Sequence, residues 1–266
     1  MDNQSFFTTG DGCKIAYRLD GPADKPVLML ANSIATTLAM WDGQISALTK
    51  HFRVLRYDMR GHGQSDAPVG AYSLDRLGRD VVELLDALGI GQIHFCGLSL
   101  GGIVGQWLGI HAASRIDRLI LCNTSPYLGP AGPYDELIRG LTHAKDMVSM
   151  ADMFMTNWFP AAMREQEQAE VQRFRDMVLA TSPQGLAGSF AVVRDMDLRR
   201  TISLIARPTL VIAGRYDMVT QLSHSEQIAA TIPDARLIIL PAVHLSNVEL
   251  PEAFLDALMA FLRPST

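Results

Sequence analysis

Hydrophobic residues in this chain gather into short runs, separated by stretches in which they recur every three or four positions. That is the rhythm of parallel strands joined by crossover helices. Ser5 to Thr9 and Cys13 to Leu19 flank Gly10-Asp11-Gly12, which predicts an opening hairpin. Val27 to Ala31, Arg53 to Tyr57, Ile93 to Cys96, Arg118 to Cys122, Thr209 to Ala213 and Arg236 to Leu240 predict buried strands, apolar on both faces. Between them, Leu74, Leu77, Val81, Leu84, Leu85 and Leu88 fall on one face of a helix spanning Leu74 to Leu88. Gly101 to His111 and Phe254 to Leu262 predict two further helices, with Pro251 near the start of the last. The expected fold is therefore α/β, with a mostly parallel eight-stranded sheet.

The rhythm breaks between residues 126 and 200. No strong strand pattern occurs there, and the segment is rich in Met, with Phe154, Trp158, Phe159 and Phe174 among helical stretches. We expect a helical cap at 126–200, inserted into a core formed by 1–125 and 201–266. No repeat, low-complexity tract or Gly/Ser-rich linker separates the two, so the cap should pack on the core.

A chain of 266 residues with 48% hydrophobic content can bury a substantial single core. A charged fraction of 19% and a formal net charge of −5 leave no cationic excess for nucleic acid. Neither an export signal nor a long apolar span is visible, so the expectation is a cytoplasmic protein without a membrane partner. Cys13, Cys96 and Cys122 are odd in number, lie in strand-like runs and lack metal-type spacing, which reads as small apolar residues in a reducing compartment. No metal site is expected, and no glycine pattern fits a nucleotide or other cofactor.

Chemistry enters at Gly97-Leu98-Ser99-Leu100-Gly101, which matches G-x-S-x-G. The match gains force from its setting, after the strand-like Ile93 to Cys96 and before a helix, because a sharp strand-to-helix turn presents a serine hydroxyl above the sheet. Glycines at 97 and 101 remove the Cβ atoms that would keep strand and helix apart. The helix start supplies oriented amides, so the N–H of Leu100 is the first candidate donor to an oxyanion.

A serine hydroxyl needs a histidine to accept its proton, and a carboxylate to hold that histidine in the right tautomer. In this kind of fold they follow the serine in the order acid, then histidine. Asp217 lies three residues past the predicted strand Thr209 to Ala213 and its glycine, and His244 lies just past Arg236 to Leu240. Both fall at the carboxyl edge of the sheet, where catalytic groups gather. His51, His94, His111, His143 and His224 lack the edge position, and His62 precedes Ser99. The second oxyanion donor should come from Asn32-Ser33-Ile34, with the amide of Ile34 preferred over that of Ser33.

These motifs make the chain resemble the 3-oxoadipate enol-lactonases, α/β-hydrolases of the β-ketoadipate pathway of aromatic-compound catabolism. The resemblance rests on Asn32-Ser33, on Leu55-Arg56-Tyr57-Asp58 leading into Arg60-Gly61-His62-Gly63, on His94 to Gly102, on Leu121-Cys122-Asn123-Thr124, and on His244-Leu245-Ser246-Asn247. The Arg-Gly-His-Gly turn is common in the fold and speaks only for it. Ile34-Ala35 departs from the Leu-Gly expected beside Asn-Ser. The resemblance implies an α/β-hydrolase fold and a small lactone substrate with a carboxylate arm, opened to 3-oxoadipate. That carboxylate should need a cation or several donors. Arg139, Arg164 and Arg194 are candidates in or beside the cap, and Trp158 is a candidate pocket wall. Two other readings use the same three residues, a general carboxylesterase and a hydrolase of carbon–carbon bonds. A third is a slow-turnover ligand receptor.

Overall fold

The computed structural model describes residues 4–263, which form one eight-stranded sheet. The strands are β1 (Ser5–Thr8), β2 (Lys14–Asp20), β3 (Val27–Ala31), β4 (Arg53–Tyr57), β5 (Ile93–Leu98), β6 (Ile116–Cys122), β7 (Thr209–Gly214) and β8 (Arg236–Leu240). Their spatial order is β1-β2-β4-β3-β5-β6-β7-β8. The opening hairpin joins antiparallel and β2 pairs antiparallel with β4, while every pair from β4 to β8 is parallel.

Helices cover the sheet because its central strands are apolar on both faces. On the core they are α1 (Asp42–Leu48), α2 (Leu74–Ala87) and α3 (Leu100–His111). The insertion after β6 holds α4 (Gly132–Thr142), α5 (Val148–Trp158), α6 (Ala161–Gln166), α7 (Gln168–Ala180) and α8 (Pro183–Asp195). Then follow α9 (Leu222–Thr231), α10 (Ser246–Glu249) and α11 (Pro251–Leu262). In α2 the predicted stripe is buried at Leu77, Val81, Leu84 and Leu85, and Ser73 caps the helix by accepting from the Arg76 amide. Pro251 opens α11, where a missing N–H costs nothing. The inserted helices carry their own aromatic core: Phe154 lies 4.5 Å from Trp158 between ring centroids, and Phe159 packs edge-on against Phe174.

Two expectations need correction. Arg236–Leu240 is not buried on both faces, because β8 is the last strand of the sheet and only Leu240 is fully covered. The strand before Ser99 runs two residues further than the apolar run, ending at Leu98 against Cys122 of β6. Cys13, Cys96 and Cys122 are buried free thiols. No helix among the described residues is long and apolar enough to cross a membrane.

Candidate active site

The carboxyl ends of β3, β5, β6, β7 and β8 converge on one small region, and the sequence shapes each loop leaving them. Ser99 takes φ 57° and ψ −118° between β5 and α3, a conformation that L residues hold only when the surroundings impose it. The imposing contacts are visible. Its amide donates to the Cys122 carbonyl at 2.9 Å, and its own carbonyl accepts from Thr124 Oγ1 at 2.8 Å and from the Ile103 amide at 3.0 Å. A Cβ on Gly97 would stand 2.1 Å from the Gly101 carbonyl oxygen, and one on Gly101 would stand 2.3 Å from that of Ala31. Those are backbone clashes, so glycine is required at both ends of the turn.

Asp217 and His244 are brought together because the chains leaving β7 and β8 continue to bond to each other. The Arg215 amide donates to Leu240 and the Tyr216 amide to Ala242, at 2.8 and 2.9 Å. His244 Nδ1 then lies 2.9 Å from Asp217 Oδ2, with both side chains buried. The carboxylate is held from several sides. Oδ1 accepts from the Val219 and Thr220 amides, and Oδ2 accepts from Thr220 Oγ1 at 2.6 Å and Asn123 Nδ2 at 3.0 Å. Burial alone pushes its pKa up, yet His244 and the hydrogen bonds from Thr220 and Asn123 outweigh this and hold the group well below the usual carboxylate range. Asp217 is therefore an anion that fixes the Nδ1–H tautomer of His244.

With Nδ1 committed, His244 Nε2 is left buried and without a hydrogen-bond partner. His244 and Ser99 line one cavity of about 170 Å³, together with Ile34, Leu100, Ile103, Trp158 and Phe190 among others. Ser99 is 7% exposed, and among the described residues its Oγ makes no hydrogen bond. The Oγ–Nε2 bond is thus not closed in this state, as is common before substrate enters such sites.

Of the two amides expected after β3, that of Ser33 donates to Met40 Sδ at 3.5 Å, and Ser33 Oγ is buried without a partner. Ile34, in contrast, lines the cavity. Among the described residues the amides of Ile34 and Leu100 meet no acceptor in the protein. Two free N–H groups beside a serine can receive a developing oxyanion.

The structure does not bring the arginine candidates here. Arg139 and Arg164 are exposed, Arg139 on the outer face of α4, where a long charged side chain stays solvated. Arg194 pairs with Asp135 and Asp195 at 3.0 and 2.7 Å. Among the described residues no Lys, Arg, Asp or Glu lines the cavity, whereas Trp158, Tyr134 and Asn157 do.

Three contributors escaped the sequence reading. Asn123, at φ 42°, spends its amide on Asp217 and on the Val243 carbonyl and accepts from Ser246 Oγ at 2.6 Å, tying β6 to the loops after β7 and β8. The signal was present in Asn123-Thr124 and Ser246, two of the stretches that carried the resemblance. Thr220 supplies a third hydrogen bond to Asp217 Oδ2. His62 accepts from the Ala35 amide at Nε2, 2.8 Å away, and its Nδ1 faces the Arg60 carbonyl at 3.1 Å.

Comparison with known proteins places these features in a family. Residues 26–251 match the model of the alpha/beta hydrolase fold family. The chain is 36% identical to 3-oxoadipate enol-lactonase 2 of Acinetobacter baylyi, over 96% of this chain and 95% of that protein. Its fold superposes on the crystal structure of a hydrolase from Pseudomonas aeruginosa PA01 with a TM-score of 0.97, at 60% identity and covering 99% of each chain. It superposes on the enol-lactonase from Burkholderia xenovorans LB400 with a TM-score of 0.94, at 36% identity and covering 97% and 99% of the two chains. The chain belongs to the α/β-hydrolase family.

Proposed function

We propose that this protein hydrolyses 3-oxoadipate enol-lactone to 3-oxoadipate through an acyl-enzyme on Ser99. The observation that carries the proposal is a buried histidine whose Nδ1 is bonded to an anionic carboxylate while its Nε2 has no partner, facing the same cavity as a serine on a strained turn. The named activities of the enol-lactonase relatives support the choice of lactone.

In this reading Ser99 Oγ attacks the ring carbonyl as His244 Nε2 takes its proton, and the oxyanion is received by the amides of Leu100 and Ile34. Collapse breaks the ring C–O bond, and His244 returns the proton to the departing enol oxygen. The enol stays tethered to the acyl group, so no fragment must leave. Water, deprotonated by His244, then attacks the ester on Ser99 and releases the diacid. Asp217 keeps the imidazole oriented and offsets its charge in both halves.

With no cation at the wall, the substrate carboxylate is held by neutral donors, the Trp158 indole N–H and the Asn157 amide, with Asn157 exposed at the rim so that water shares the charge. The uncharged wall also favours a second reading, hydrolysis of small neutral esters. A spectrophotometric assay on freshly generated enol-lactone, run beside its methyl ester and an aryl acetate, separates them. The proposal expects kcat/KM for the free-acid lactone to exceed that for both neutral compounds. The reverse order assigns the site to neutral esters.

A further inference from the structure

The turn that carries Arg60-Gly61-His62-Gly63 is far from Ser99 in sequence, but it is bonded to the loop that follows β3. Asp58 Oδ1 accepts from the Leu38 amide at 2.7 Å, and His62 Nε2 accepts from the Ala35 amide at 2.8 Å. The turn itself cannot drift. Arg60 makes a two-pronged ion pair with the buried Asp80 at 2.6 and 2.7 Å, and Asp58 Oδ2 accepts from the Gln64 amide. A rigid turn therefore grips residues 35 and 38 of the loop that carries Ile34, a residue that lines the cavity and whose amide meets no acceptor among the described residues.

That grip adds to the loop's own bonds, in which the Thr36 amide and Oγ1 donate to the Ser33 carbonyl at 3.3 and 2.8 Å. Ala35 sits at φ 57°, in the left-handed region where a Cβ crowds the following carbonyl. With alanine in place of glycine at this position, a restraint from outside the loop offsets part of the strain. A backbone amide can only donate, so its bond to Nε2 requires His62 to be neutral with its proton on Nδ1, where the Arg60 carbonyl receives it.

We infer that His62 is a positioning residue for the reaction, and that by accepting the Ala35 amide it aims the Ile34 N–H at the oxyanion formed on Ser99. The inference rests on the serine-hydrolase reading above and adds to it a specific division of labour. The oxyanion exists only in the transition state and the tetrahedral intermediate. Loss of aim must then lower kcat and leave KM nearly unchanged.

The experiment compares His62→Gln, His62→Asn and His62→Ala with the unmodified protein, with Ser99→Ala measured alongside, all on the same lactone or aryl ester. A glutamine places its Oε1 where Nε2 stands and can still accept from Ala35. An asparagine of similar polarity places its oxygen nearer the position of Nδ1 and falls short. Removing one oxyanion donor outright costs on the order of 100-fold to 1000-fold in kcat, so a misaimed donor should cost roughly 10-fold to 100-fold. The expected pattern is that loss in kcat for the asparagine and alanine variants, KM within a few-fold, and recovery of most of the loss in the glutamine variant. Should alanine fail to fold, the asparagine and glutamine pair carries the comparison. If Ser99→Ala is inactive while His62→Asn turns over normally, or if the loss falls on KM, the role of His62 is overturned alone. If Ser99→Ala turns over normally, this inference and the covalent reading fall together.

Discussion

Replacing His62 by glutamine should change how stability responds to acid, and the size of the change follows from where the imidazole sits. His62 is buried, and burial pushes its pKa down from the ordinary 6.5 to about 4. Between those two values the unfolded chain binds a proton that the folded protein refuses, so the folded state loses ground as pH falls through 6.5 and the loss levels off below 4. Each pH unit across that interval is worth about 1.36 kcal/mol, giving a full loss of about 3 kcal/mol, most of it developed at about pH 4.5. Glutamine binds no proton in either state and removes this dependence. Denaturant unfolding of both proteins at about pH 7.5 and 4.5 measures it, and the difference of differences cancels His94 and His224, whose pKa values burial also lowers. The unmodified protein should lose roughly 2–3 kcal/mol more than the variant. Parallel losses would mean that the ring is charged or solvated at acid pH, and that the Ala35 contact does not require a neutral imidazole.

Three further substitutions probe the site's frame. Asn123→Ala removes a buried donor to Asp217 and strands the Ser246 hydroxyl, so kcat should fall about tenfold with a stability loss of about 1–3 kcal/mol, read by steady-state kinetics and denaturant unfolding. Gly101→Ala puts a Cβ 2.3 Å from the Ala31 carbonyl oxygen, and since backbone cannot swing aside the helix start must shift; stability should fall by about 2–3 kcal/mol in thermal or denaturant unfolding, with most activity lost. Trp158→Phe keeps an aromatic wall beside Phe154 but deletes the indole N–H, so kcat/KM should drop for the carboxylate-bearing lactone and stay level for its methyl ester.

Much of the architecture was legible because buried parallel strands and amphipathic crossover helices impose distinct hydrophobic periods, as Val27–Ala31 and the Leu77–Val81–Leu84 stripe illustrate. The ends were less legible. Arg236–Leu240 is as apolar as its neighbours, yet nothing local says that it closes the sheet and keeps one face partly open. At the site, Ser99, Asp217 and His244 stood out because each follows a strand end in a set order, and topology turns that order into proximity. Asn123, Thr220 and His62 did not stand out. Asn123 and His62 bond across loops brought together only by folding, as where the Ala35 amide rests on His62 across 27 positions of chain, while Thr220 bonds locally to Asp217, three positions away. The arginines misled for a related reason: charge and membership in the inserted helices were readable, but which face of α4 looks inward was not, and Arg139 looks out.

Covalent labelling tests the central claim most directly. The protein is treated with an aryl phosphonate or sulfonyl fluoride, and mass of the intact chain and of its peptides is followed together with lactonase activity. The account predicts one label per chain, on the peptide bearing Ser99, with activity falling in proportion and no labelling of Ser99→Ala. Lactone turnover that survives complete labelling of Ser99, or inactivation with the label on another residue, would contradict it.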